Sequence, residues 1–325
     1  MLGTTQTMWV WEPAIYLFLG GLAGGAFFAT TVVRLWGKDR FSKVAVLGPW
    51  VSVIALGIGL LFLVIDVAKP FQAMMMWKSF VNFSSWMTIG AWLLFVAVVF
   101  MGLCAVFSTP QLVKILAGLW KPFGTAADKI VKVCMILGSI GGLGVAVYTG
   151  ILLWSAHSIP LWNTPWIPTL FTISALDAGV SLVLAILLFE KDEMAATFKK
   201  RLSLALLVLI VLEAATLTVL LSMNANGTVS QALAANTILH GDLHMQFWGL
   251  IVVVGLVIPF ILTVIDFMGL IKDEKLAHIL HLVAIACALI GGFTVRFVFL
   301  TAGIHGALVS PDPYQAMLGV YNMIL

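Results

Sequence analysis

The chain has 325 residues, 62% of them hydrophobic and only 10% charged, with a mean hydropathy of +1.12. A soluble domain carries about 25% charged residues, so this composition excludes a soluble globular protein and points to a polytopic membrane protein. The net charge of +3 is spread over short loops, which excludes a nucleic-acid-binding face.

The N-terminal "MLGTTQTMWVWEP" lacks the basic start of a secretory signal, so the first apolar run is expected to remain as an uncleaved span. Runs of about 20 apolar residues mark transmembrane helices. Eight are read in chain order, at 13–35, 45–67, 84–107, 130–154, 168–189, 202–222, 246–267 and 277–301. Their length and lack of alternation exclude a closed barrel. The expected class is therefore an all-α integral membrane protein. "GGLAGG" in the first span and "GSIGGLG" in the fourth place small residues four apart, the pattern of closely packed helices.

The loops orient the spans. Arg34, Lys38, Arg40 and Lys43 follow the first span, and Lys114, Lys121, Lys129 and Lys132 follow the third. Lys191, Lys199, Lys200 and Arg201 follow the fifth, and Lys272 and Lys275 the seventh. Fourteen of the 17 basic residues thus fall on one side, which the positive-inside rule makes cytoplasmic, so both termini face outward. The outward loops are rich in Trp, Asn, Pro and His, and Trp77, Trp86, Trp154, Trp162 and Trp166 fit an aromatic belt. The apolar tail 303–325 needs a covering surface, either a docked protein or the bilayer interface.

Cys104, Cys134 and Cys287 all fall in spans without a CxxC, so neither an iron–sulfur cluster nor a cysteine-rich zinc site is expected in this chain. The six histidines provide no facing pair at mid-span, which argues against an intrinsic haem. His278 and His281 begin the eighth span, while His157 and His305 lie in outer segments. His240 and His244 have metal-compatible i, i+4 spacing but no third ligand, so loop or partner contacts are expected and no metal site is assigned.

Ionisable groups inside a span are costly and mark function or interhelical pairing. Glu12 lies at the outer mouth of the first span, and Asp66 ends the second, followed by Lys69. Asp177, Glu213 and Arg296 lie within the fifth, sixth and eighth. These three either pair and hold the helices together or relay protons inward. Tyr148 lies inside the fourth span, where its phenol needs a partner. The polar groups Glu12, Tyr16, Asp66 and Tyr148 crowd the outer leaflet, favouring a site there for an amphipathic molecule. A transporter or proton-conducting channel unrelated to respiration is the competing class, although such proteins place broken helices near the midplane.

Several motifs together resemble the NrfD/PsrC family, the quinone-interacting membrane subunits of complex iron–sulfur molybdoenzymes. They are "WVWEPAIYLFLGGLAGG", "VIDVAKPFQ", "NFSSWMTIGAW", "YTGILLWSAHSIPLWN", "HMQFWGLIVVVGLVIP" and "GGFTVRFVFLTAG", in this order over nearly the whole chain. The resemblance implies eight helices in two four-helix bundles, with residues 1–155 forming the first bundle and its quinone site, 156–302 the second, and 303–325 an outer tail. It implies a subunit without haem or iron–sulfur cluster that exchanges electrons between menaquinone or ubiquinone and an extracytoplasmic ferredoxin-type iron–sulfur partner with four clusters. That partner would feed a catalytic subunit holding a molybdenum or tungsten bis-pterin.

Carried onto this sequence, the family's quinone-carbonyl ligand falls on Tyr148. Tyr16 stands where some members have a polar residue, often His, and Asp66 with Lys69 matches a "DLGRP"-like motif written here as "DVAKP". The change from Gly-Arg to Ala-Lys removes a bidentate base. Glu12 is placed at the pocket mouth by position. His157, Trp162, Asn163, His240 and His244 are read as a docking surface under the iron–sulfur partner.

Overall fold

The computed structural model describes residue 6 and residues 11–37, 41–66, 81–119, 121–190, 194–268 and 274–305. Lys69 and the tail beyond His305 lie outside these residues. Eight helices are long and apolar enough to cross a membrane. In chain order, α1 is Trp11–Gly37, α2 Ser42–Asp66, α3 Trp86–Ser108, α4 Pro110–Leu119 and α5 Lys121–Trp154. Then follow α6 Trp166–Leu187, α7 Ala195–Ala225, α8 Val229–Leu239, a π-helical stretch Gln246–Val257 that runs into α9 Ile258–Phe267, and α10 Glu274–Thr301. The short helices α4 and α8 are additional to the eight long apolar ones. The protein is a multi-pass membrane protein.

Local chemistry sets several boundaries. The Ser85 hydroxyl accepts from the Met87 N–H and caps α3, and Thr228 with Gln231 forms a reciprocal capping box on α8. Pro49 lies inside α2 and cannot bond the Ala45 carbonyl four residues back. The Arg34 guanidinium reaches across from α1 and donates to that carbonyl at 3.4 Å. In hydrocarbon an orphaned carbonyl is costly, so a neighbouring helix supplies the missing donor. The π-helical stretch precedes Pro259, and the Ile258 N–H bonds the Val253 carbonyl five residues back, giving a wider turn than an α-helix.

The glycine runs place α1 at the centre. A methyl added at Gly24 would collide with the Gly142 carbonyl of α5, and one at Gly25 with the Ala175 carbonyl of α6. Helix α1 packs on α2, α5, α6 and, less extensively, α10. Helix α3 packs on α2 and α5, while α6 packs on α7 and α10. Helix α10 also packs on the π-helical stretch and α9, and α9 reaches back to α7. Polar crosslinks span the seams, with Ser139 Oγ donating to Thr31 Oγ1 at 2.9 Å and Trp50 Nε1 to Thr109 Oγ1 at 2.9 Å. Gln6 is held against the end of α10, its backbone N–H bonding the Gly303 carbonyl at 3.0 Å and its Nε2 the Leu300 carbonyl at 2.8 Å.

Candidate functional site

Four of the residues singled out in the sequence converge at one end of the molecule. Tyr16 sits five residues into α1, Asp66 ends α2, and Tyr148 lies six residues before the end of α5. At 1.5 Å per residue the two tyrosines lie about 7–9 Å below their helix ends, at matching depth. The Tyr16 hydroxyl faces the Asp66 carboxylate within hydrogen-bonding reach, donating to it. Tyr148 lies close enough to Tyr16, and Glu12 close enough to Asp66, for each pair to interact electrostatically. All four side chains are half-buried, neither sealed in the core nor free in solvent. Trp11 and Phe62 meet edge to face, with centroids 6.2 Å apart, and add an apolar wall beside Glu12 and Asp66.

The Tyr148 ring rests on Gly90 of α3. A methyl at Gly90 would overlap Cζ, Cε1 and Cε2 of that ring, so the glycine makes the seat in which the phenol end lies. Sequence reading misses Gly90 because its contribution is the absence of a side chain.

A second polar cluster lies in the α6, α7 and α10 core, where Asp177, Glu213 and Arg296 are all buried. Arg296 Nη1 donates to Ser174 Oγ at 2.6 Å and to the Gly292 carbonyl at 2.7 Å, while Nη2 donates to the Phe171 carbonyl at 2.9 Å. Ser174 in turn hydrogen-bonds the Glu213 carboxylate, so a serine that sequence reading passes over joins the cation to the acid. Asp177 lies close enough to Glu213 to feel its charge. The guanidinium carbon also lies 5.1 Å from the Phe171 ring centroid and 5.8 Å from that of Phe18 on α1.

The five residues read as a docking surface divide. His157, Asn163, His240 and His244 are exposed. His157 Nδ1 lies 2.8 Å from the Ser155 carbonyl and His244 Nδ1 2.8 Å from that of Gly241, each bond fixing its ring locally. Trp162 is corrected: it is 2% exposed and its indole Nε1 donates to the Phe299 carbonyl at 2.7 Å. It braces the loop onto α10 and presents no surface. Among the described residues no cluster of His, Cys, Asp and Glu could hold a metal ion. Asp266, in the last turn of α9, lies 3.0 Å from His281 Nε2 and links α9 to α10.

Comparison with known proteins adds to this geometry. Residues 3–306 match the family described as Polysulphide reductase, NrfD. The C subunit of polysulfide reductase from Wolinella succinogenes is 31% identical over 307 residues, covering 91% of this chain and 94% of that protein. The NrfD homolog of Haemophilus influenzae is 25% identical over 320 residues, covering 92% and 95%, and NrfD of Escherichia coli 27% over 195 residues, covering 54% and 58%. The extent of the family match and the identity to the Wolinella protein over nearly both full lengths lead to one conclusion: the chain belongs to the polysulphide reductase NrfD family.

Proposed function

We propose that the chain is the membrane subunit of a respiratory reductase complex and exchanges electrons between the quinone pool and an extracytoplasmic iron–sulfur subunit. That subunit would pass them to a molybdenum or tungsten bis-pterin catalytic subunit. The observation that carries this reading is the convergence of Glu12, Tyr16, Asp66 and Tyr148 from three helices at one end of the bundle, with the two tyrosines at matching depth. Two phenols and a carboxylate beside apolar rings fit a quinone head group, which needs a polar partner at each carbonyl and an apolar wall.

A bound quinol supplies two electrons and two protons. Tyr148, steadied by Gly90, would hold one carbonyl oxygen by its O–H. Tyr16, whose own O–H is directed to Asp66, would accept the hydrogen bond of the other quinol hydroxyl, so that the quinol proton passes to the Tyr16 oxygen as the phenol proton passes to Asp66. Glu12, one turn nearer the helix end, would pass protons from Asp66 to water. Lys69 belongs to the same proposed site by its place in the motif. Asp177, Glu213 and Arg296 form the candidate proton relay, with Ser174 as the hydroxyl between acid and cation.

In this reading the first four and last four spans form two four-helix bundles, with residues 1–155 and 156–302 as units. The basic loops are cytoplasmic, the chain lies in the inner membrane, and both termini, including the tail 303–325, are outside. The exposed His157, Asn163, His240 and His244 would lie beneath the iron–sulfur partner.

The test is Tyr148→Phe in the assembled complex. One lost hydrogen bond to a reacting group, about 1–3 kcal/mol, should slow quinol-dependent turnover by roughly 5- to 150-fold while the complex still elutes intact. Unchanged turnover with a quinol analogue would overturn the assignment.

A further inference from the structure

We propose that the basic end of α1, α2, α3 and α5 carries a binding site for a phospholipid headgroup, with the phosphodiester held by Arg34 and Lys132. A cavity of about 640 Å³ opens between these helices, and its polar wall includes Arg34, Ser108, Asp128 and Lys132. This volume is within the usual range for small-molecule sites, about 300–1,000 Å³. It is distinct from the tyrosine site. Eighteen residues of α1 separate Tyr16 from Arg34, about 27 Å along the helix.

The site is built rather than incidental. Arg34 is only 9% exposed, and its Nη1 donates to Ser108 Oγ at 2.7 Å and to the Ala45 carbonyl that Pro49 leaves without its helical donor. The guanidinium is therefore fixed at the cavity wall before any ligand arrives. Its planar array of donors matches the oxygens of a phosphate.

Depth selects the ligand. Arg34 lies in the last turn of α1, Ser108 ends α3, and Asp128 and Lys132 lie near the start of the membrane-crossing part of α5. These helix ends mark the level at which hydrocarbon gives way to headgroups. Leu35, 52% exposed, and the half-buried Val46 line the same cavity and give it an apolar margin for acyl chain. Among the described residues the charged lining comprises two cations and one carboxylate, a surplus of one positive charge that a phosphodiester balances. Basic pockets between transmembrane helices suit lipid phosphates for this reason. Asp128 would meet the ammonium of an aminophospholipid.

The experiment uses the full-length protein purified in mild detergent, with bound lipid measured by native mass spectrometry and by phosphorus content after extraction. Wild-type protein should retain a tightly bound phospholipid. Lys132→Glu should lower retention at least about tenfold, since reversing one headgroup contact changes two units of charge. Lys114→Glu, the same charge change outside the cavity lining, should not. Delipidated protein should gain thermal stability from vesicles of phosphatidylethanolamine and phosphatidylglycerol but not from inorganic phosphate. Equal retention in wild type and Lys132→Glu would overturn the proposal. So would an equal stability gain from inorganic phosphate alone, which would mark the cavity as a site for a free anion. Quinol turnover is independent of this readout, so failure here leaves the tyrosine site standing.

Discussion

Replacing Gly90 with alanine tests the tyrosine site without touching a polar group. In an isolated helix the substitution is favourable by about 0.5–1 kcal/mol, because glycine loses more backbone freedom on folding. The packing opposes it. The new methyl would lie inside the contact distance of three carbons of the Tyr148 ring, and restoring a separation of about 3.5–4 Å requires the ring to move by more than about 1 Å. Overpacking of this kind costs about 1–3 kcal/mol. The net loss of stability is then about 0–2 kcal/mol, small enough for the protein to assemble.

Function should respond more strongly than stability. A displacement of about 1 Å at a positioning group can reduce turnover by roughly 100-fold. The assay is quinol-dependent reduction by the assembled complex, with thermal unfolding measured on the same preparation. A Gly90→Ala protein with wild-type turnover would refute the claim that Gly90 seats a functional phenol. The double variant Gly90→Ala/Tyr148→Leu separates the effects. With the ring gone, the alanine has nothing to displace, so its stability effect should return to the small gain expected from propensity, and the two substitutions should be non-additive.

Arg296→Gln removes the cation from a fully buried acid pair and should destabilise the protein by about 3–5 kcal/mol, seen as a lowered unfolding temperature in detergent. Adding Glu213→Gln should recover part of that loss, and no recovery would show that Ser174 does not couple the two groups. Trp162→Ala should cost about 3–5 kcal/mol through the lost core volume and the lost bond to the Phe299 carbonyl, whereas His157→Ala should leave stability within about 0.5 kcal/mol. Similar unfolding temperatures for these two variants would refute the burial argument that separates them.

Much of this architecture is legible in the sequence because membrane spans are written in a single variable, apolar length. The seventh span, read as 246–267, coincides with Gln246–Phe267. The sixth, read as 202–222, extends to Ala195–Ala225, since Lys199, Lys200 and Arg201 end the apolar run without ending the helix. Helices α4 and α8 are too short to register as apolar runs, and the π-helical turn depends on a backbone register that composition does not encode. The matching level of Tyr16 and Tyr148 is accessible from helix position alone, because a residue n positions from a helix end lies about 1.5n Å below it, whereas Asp66, the last residue of α2, reaches Tyr16 only through the packing of α1 on α2. Trp162 misleads because its neighbours look like a polar outer loop. The deciding fact is one long-range bond to a carbonyl 137 positions away in the sequence. Ser174 gives no signal, since a single hydroxyl in an apolar helix is common.

The glycines of α1 explain why both polar clusters gather around one helix. Successive residues of an α-helix point about 100° apart. Gly20 and Gly24 therefore share one face, and Gly21 and Gly25 share the next. The first pair meets Val145 and the Gly142 backbone of α5, and the second meets Ala175 of α6. A single small-residue stripe would permit one close neighbour, whereas two adjacent stripes permit two, leaving α1 between α5 and α6. The same geometry places Tyr16 against Asp66 of α2, while Phe18 and Gly21, on other faces, lie beside Arg296. The tyrosine site and the buried charge cluster thus lie against different faces of α1. A helix with large side chains at these four positions would force α5 or α6 outward and draw Tyr148 away from Tyr16. Glycines that read in the sequence only as packing seams are what allow the polar site to close.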